Sequence, residues 1–145
     1  MVRIPVVRLD PDLPLPAYAR PGDAGADLVA REGATLRRGG GRALLPTGIA
    51  LAIPTGYAGF VQPRSGLALR HGVTCLNSPG LIDSGYRDEL RVLLVNTDPD
   101  ADYEVHRGDR IAQLVVQRVE QASFDAADRL DPSARGNGGF GHTGR

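Results

Sequence analysis

Leu90-Arg91-Val92-Leu93-Leu94-Val95-Asn96 is apolar on both faces through its middle. Such a run, too short for a long helix and rich in Val and Leu, reads as a strand buried on two sides. Ile111-Ala112-Gln113-Leu114-Val115-Val116-Gln117 reads the same way, with two glutamines set into it. Outward from these runs, Val2–Leu9, Gly48–Ile53, Gly56–Val61, Arg87–Asn96 and Arg110–Val119 all carry strand composition between turn residues. Nineteen glycines and eleven prolines punctuate them. Helical turns are predicted only over Gly66–His71, which Gly72 ends, and over Ala122–Leu130. The pattern is all-β, a sandwich or jelly roll with one short helix. From about Asp131 apolar periodicity is lost, and a flexible Gly-rich tail is expected.

Composition narrows the function. A chain of 145 residues is one ordinary domain. Its 17 basic and 17 acidic residues balance, so no general field draws nucleic acid or an anionic membrane. All the basic residues other than histidine are arginine, so phosphate contacts fall to guanidinium forks, backbone N–H groups and hydroxyls. The single cysteine, Cys75, excludes an intrachain disulfide and a multi-cysteine zinc site. It reads as a small buried strand residue, or as a thiol seeking His71. Without an apolar leader or an 18-residue apolar run, the reading is soluble and cytoplasmic.

Five segments carry candidate chemistry. Asp23-Ala24-Gly25-Ala26-Asp27-Leu28 has two carboxylates around a glycine, suited to a hard cation or its waters, or to an Asp-Gly turn entering a strand. Pro63-Arg64-Ser65-Gly66-Leu67-Ala68 places an arginine and a hydroxyl at a helix start, suited to phosphate or to simple capping. Asn77–Leu90 reads as a β-hairpin whose backbone can read a base edge, with Asn77 adding an amide. Within it Asp83 is a general-base candidate and Tyr86 a flat platform, against a turn aspartate and a core tyrosine. Arg87, Asp88, Glu89 and Arg91 read as a solvated charged run. Gly108-Asp109-Arg110-Ile111-Ala112-Gln113-Leu114 sets an amide in an apolar strand, whose partner is a phosphate or backbone. Arg135-Gly136-Asn137-Gly138-Gly139-Phe140-Gly141 joins a cation, bendable glycines and a stacking aromatic.

In order and spacing these five segments, which span nearly the whole chain from Asp23 to Gly144, resemble the signature blocks of the trimeric dUTP diphosphatases. The resemblance implies a distorted jelly-roll subunit of the β-clip kind over residues 1–131, with a C-terminal lid over 132–145. It implies hydrolysis of dUTP to dUMP and pyrophosphate, which keeps uracil out of DNA and supplies dUMP for dTMP synthesis. It also implies a homotrimer with active sites shared between subunits, and Mg2+ carried on the triphosphate. By position, Asp83 would align the attacking water and Tyr86 would pack under the deoxyribose. Asn77, Leu81, Ile82, Asp83 and Arg91 would hold uracil. Arg64, Ser65, Gly66 and Gln113 would hold phosphates, and Asp27 would orient waters around the metal. Arg135 would reach the γ-phosphate and Phe140 would stack over uracil. Asp88 stands where the family commonly has glycine, and His142 where many tails have serine. Two rival readings are a dCTP deaminase, for which Glu89 is the nearby candidate base, and a non-catalytic nucleotide-binding module.

Overall fold

Alternation along the strand Glu89–Asn96 decides which way the core lies. Leu90, Val92, Leu94 and Asn96 are buried, whereas Arg91 is exposed and Leu93 half-buried. The strand is therefore closed on one face and partly open on the other, not buried on two sides. The computed structural model describes residues 1–144, so Arg145 at the end of the expected lid lies outside the described residues. Its elements are β1 (Val6–Arg8), β2 (Ala26–Val29), β3 (Ala34–Leu36), β4 (Arg42–Leu51), β5 (Tyr57–Gln62), α1 (Ser65–His71), β6 (Val73–Cys75), β7 (Gly80–Ile82), β8 (Glu89–Asn96), β9 (Tyr103–Val105) and β10 (Arg110–Arg118).

Two four-stranded antiparallel sheets form, in the orders β1-β4-β8-β6 and β2-β10-β5-β7, with β3-β9 as a separate ribbon. One buried cluster joins all three. Leu45, Leu51, Val73, Leu90, Val92 and Leu94 come from the first sheet, Leu28, Val61, Ala112 and Leu114 from the second, and Leu36 and Val105 from the ribbon. This is the jelly-roll-like sandwich that the strand pattern predicts. Asn96 is fully buried at the seam, where its Nδ2 donates to Leu36 O (3.0 Å) and Ala101 O (2.9 Å). Its Oδ1 accepts from Asp98 N (2.9 Å), so no buried polar group is wasted.

Several boundaries move. The first strand is confined to Val6–Arg8, because Pro5 has no N–H to offer the ladder. The strand expected from Gly48 begins at Arg42 and runs through Pro46 by means of a register break. Ribbon β3-β9 carries too few residues for a periodicity signal. Ala122–Leu130 forms no helix; it is exposed throughout, and a short segment with no face to bury gains no support for helical turns. Asn77–Leu90 is not a hairpin. β7 pairs with β5, whereas β8 pairs with β4 and β6. The six residues Asp83–Asp88 give the chain reach enough to change sheets, so the two strands never meet. Among the described residues no helix is long and apolar enough to cross a membrane.

At the break in β4, Gly48 takes φ 77°, a left-handed conformation that suits glycine. Its N–H donates to Glu89 Oε1 (2.9 Å), and its carbonyl accepts from Leu9 N (2.8 Å) and Asp10 N (3.1 Å). Glu89, read in the sequence as part of a solvated run, is only 8 % exposed. Arg31 Nη1 donates to the same Oε1 (3.2 Å), and Arg31 Nε lies 3.5 Å from Asp10 Oδ2. Arg107 closes the network with two bonds to Asp10 and one to Arg31 O (2.8 Å).

The Arg107 hydrogen bond, with smaller help from the Asp12 N–H and the Arg107 and Arg31 charges, outweighs burial and lowers the Asp10 carboxyl from 3.8 to about 2. Asp98 and Asp102 are lowered as well, chiefly by N–H groups of Asp100 and Arg38. A lowered folded-state pKa contributes stability above the unfolded value and loses it as pH falls through the folded one. Urea midpoints are therefore expected to fall between about pH 4 and pH 2, and Asp10→Asn is expected to lessen that fall. An acid dependence unchanged in Asp10→Asn would show that this ion pair does not matter.

Candidate functional site

The central strand β10 sets the geometry of one cleft. Gln113 is in register with Asp27 of β2 on one side and Gln62 of β5 on the other. That brings the Asp23–Leu28 and Pro63–Ala68 segments together across one strand. Asp23, Asp27, Arg64, Ser65, Gly66, Arg70, Arg110 and Gln113 line a cavity of about 410 Å³ there. The helix α1 opens onto it with no side-chain cap from Arg64 and no acid in its first turn. Its leading N–H groups thus remain available to an anion.

Asp27 is already paired with two arginines of the cleft. Asp27 Oδ1 lies 3.4 Å from Arg64 Nε, and Asp27 Oδ2 lies 3.2 Å from Arg110 Nη1. Asp23 Oδ2 accepts from Arg20 N (2.9 Å), a local turn bond. The two carboxylates line one cavity but do not form a cation cage. Among the described residues no group of three or more His, Cys, Asp or Glu converges. Such a donor set suits only a magnesium ion that keeps most of its waters and takes its other oxygens from a ligand; Asp27 is the carboxylate that would meet those waters. Gln113 Nε2 donates to Pro63 O (3.0 Å), so in this state the amide is satisfied by backbone. Its carboxamide lies directly over Gly25, where an added Cβ would approach Cδ to 2.8 Å.

A second cavity, about 350 Å³, is lined by Leu44, Leu81, Ile82, Asp83, Tyr86, Asp88 and Arg91. Asp83 is exposed, and its carboxylate makes no hydrogen bond or ion pair among the described residues. Tyr86 N donates to Asp83 O (3.1 Å), and the Tyr86 hydroxyl donates to Glu89 O (2.8 Å). The ring is thereby pinned at the mouth and is not core packing. Asp88 accepts the Glu89 N–H (2.7 Å), which gives this residue a capping role. The Asn77 carboxamide packs over Gly80, where a Cβ would lie 3.3 Å from its Nδ2.

The tail makes a third group. Arg135 Nε donates to Gly138 O (2.7 Å), and successive turns bond Gly138 to Arg135 and His142 to Gly139. Phe140 is fully exposed. Among the described residues Arg64, Asp83 and Arg135 line three separate cavities.

Sequence reading passed over Arg110 as a partner of Asp27, because the two lie 83 positions apart. It also missed Leu44, whose place in the second cavity follows only from pairing of β4 with β8. Cys75 is buried in β6, and burial pushes its thiol up to about 11. His71 packs against Tyr103 instead, with ring centroids 4.8 Å apart and the planes tilted by 47°. The catalytic-thiol alternative has no geometry behind it.

A sequence model of the dUTPase family matches residues 12–144. The chain belongs to the dUTPase family. It is 62 % identical to the deoxyuridine 5'-triphosphate nucleotidohydrolase of Thermobifida fusca (strain YX), over 99 % of this chain and 79 % of that protein. It is 55 % identical to that of Mycobacterium bovis (strain BCG / Pasteur 1173P2), over 96 % of this chain and 93 % of that one. Among solved structures, the dUTPase of Staphylococcus bacteriophage 80alpha with dUPNHPP superposes with a TM-score of 0.90 at 24 % identity, covering all of both chains. A mutant dUTPase from phage phi11 of S. aureus, described with a structural Mg(II) ion, gives 0.80 at 23 % identity, over 89 % of this chain and 99 % of that one. At such identities these structures speak for the fold.

In this dUTPase-family chain the Gly25–Gln113 contact generates a test. Gly25→Ala should displace the carboxamide from Pro63 O and lower the melting temperature by a few degrees without unfolding the chain. Tripolyphosphate binding, measured by calorimetry, should weaken by about five- to thirtyfold, as it should in Gln113→Ala. Parental affinity in both variants would remove Gln113 from the phosphate cleft.

Proposed function

We propose that the protein hydrolyses dUTP to dUMP and pyrophosphate by attack of water on the α-phosphorus. Family membership along nearly the whole chain supports the activity. The observation that carries the assignment of roles is the Asp83 carboxylate, unpaired at a cavity mouth beside a pinned tyrosine. An unpaired carboxylate can accept a hydrogen bond from water and orient its oxygen toward phosphorus. As the new O–P bond forms, the α–β bridging P–O bond breaks and pyrophosphate leaves. The water proton passes toward Asp83.

The other residues bind and orient. Leu81, Ile82 and Arg91, with Asn77 behind them, hold uracil in the second cavity. A methyl at C5 would collide there, and a cytosine amino group would face donors in place of an acceptor. Tyr86 packs under the deoxyribose and leaves no room for a 2′-hydroxyl. Arg64, Ser65, Gly66 and Gln113 hold phosphate oxygens, with the open start of α1 adding N–H donors. Magnesium, when bound on the triphosphate, neutralises charge on the phosphates. Asp27 orients its waters. Arg135 reaches the γ-phosphate and Phe140 stacks over uracil, with residues 132–145 as a lid on the 1–131 body.

The dispersal of the three groups supports a homotrimer with shared sites, since among the described residues they line separate cavities. An apolar row on the outer face of the first sheet supports it too. Leu44 is paired with Leu93, Leu76 N donates to Leu93 O, and Leu44 and Leu76 are exposed. A cytoplasmic location goes with a nucleotide substrate. Glu89 is bound to Gly48 and Arg31 and does not line the Asp83 cavity, which tells against a deaminase base.

Pyrophosphate release should be seen with dUTP and be far weaker with dTTP, dCTP and UTP; ammonia release from dCTP would overturn the reading. Asp83→Asn should bind dUTP much as the parent does while turnover falls by about 10²–10⁴-fold. Parental turnover in that variant removes Asp83 from its role. Truncation after Pro132 should lower turnover by about 10²-fold while light scattering still reports a trimer. Normal turnover without residues 133–145 disposes of the lid.

A further inference from the structure

The Asp83–Asp88 loop lands on the first sheet at Glu89, and this residue is held through both its side chain and its main chain. Its carboxylate supplies the acceptor that the register break denies to Gly48 N, and Arg31 binds the same oxygen. Its backbone carbonyl receives the Tyr86 hydroxyl, and its N–H donates to Asp88 Oδ1. The Tyr86 hydroxyl has no other hydrogen-bond partner among the described residues. Tyr86 N in turn donates to Asp83 O. A continuous series of bonds thus runs from Gly48 and Arg31, through Glu89, to the ring and backbone of the sugar-facing residue.

We infer that Glu89 is a positioning residue for sugar selectivity: its side chain fixes the β8 carbonyl on which the Tyr86 hydroxyl rests, and so fixes where the ring stands. The inference rests on the dUTP reading above, in which Tyr86 meets the deoxyribose. Glu89 itself does not touch that cavity and acts through the main chain. A ring that shifts outward opens space where a ribose 2′-hydroxyl would otherwise collide. Loss of Glu89 therefore affects dUTP and UTP in different degree. A group that only stabilised the fold would lower both together.

The test is kcat/KM for dUTP and for UTP with the full chain, its Glu89→Ala, Glu89→Gln and Arg31→Met variants, and their melting temperatures. Glu89→Ala is expected to lower the dUTP-to-UTP ratio by about tenfold or more, since small misplacements near a reacting group carry penalties of that order. Glu89→Gln keeps an acceptor for Gly48 N and should restore most of the ratio. Arg31→Met, altering a side chain that is partly exposed, should lower it by a smaller factor. Should Glu89→Ala not fold, Tyr86→Phe cuts the same hydroxyl–carbonyl bond and should lower the ratio as well. An active parent with an unchanged ratio in Glu89→Ala, or in both Arg31→Met and Tyr86→Phe, overturns this inference alone. A parent inactive on dUTP overturns the proposed function and this inference with it.

Discussion

At Gly48 the longest strand of the molecule slips out of register with its neighbour, and a buried carboxylate fills the break. Much else is tied to that point. Arg31 comes from the segment between β2 and β3, Asp10 from the segment after β1, and Arg107 from the turn before β10. Thr47 adds a bond from its hydroxyl to Leu90 O (2.6 Å). Burying Glu89 costs free energy, and its bonds to Arg31 and Gly48 offset much of it. Without Glu89, a buried N–H would stand unpaired at about 1–3 kcal/mol. The loop that presents Asp83 and Tyr86 ends at this same residue, so the bonded break in β4 lies directly beneath that loop.

The cleft along β10 is organised by a different constraint. There the register of β10 with β2 and β5 places an aspartate, a glutamine and the start of a helix around one opening. Asp27 sits between Arg64 and Arg110, so both arginines are held in place by an internal carboxylate. The pairs are partly exposed, and in water such pairs contribute little stability. Their effect is to keep two flexible guanidinium groups near the cleft. An anion entering it meets oriented donors, with less side-chain entropy left to lose.

Strong apolar runs were legible. The strands at Tyr57–Gln62, Glu89–Asn96 and Arg110–Arg118 lie close to where β-prone composition and turn residues predict them, as does the short helix ended by Gly72. Three-residue strands such as β3 and β9 were not, because so short a stretch carries no period. The Asn77–Leu90 segment misled because a Ser-Gly turn between apolar runs is also the mark of a hairpin. Local sequence does not say which sheet each run joins. Glu89 misled for a related reason. In a string of charges nothing separates a solvated carboxylate from one opposite a bulge on a strand 41 residues away.

By itself the sequence determined the all-β class, the short helix ended by Gly72 and the identity of the segments that carry chemistry, because turn residues, apolar runs and side-chain type are local properties. Tertiary structure alone decided that Asp27 lies between two arginines, that Gln113 rests on Gly25, and that Asp83 and Tyr86 open into a cavity apart from Arg64. Those facts depend on strand register and on a change of sheet. Both are set by how the whole core closes, and no stretch of neighbouring residues encodes them.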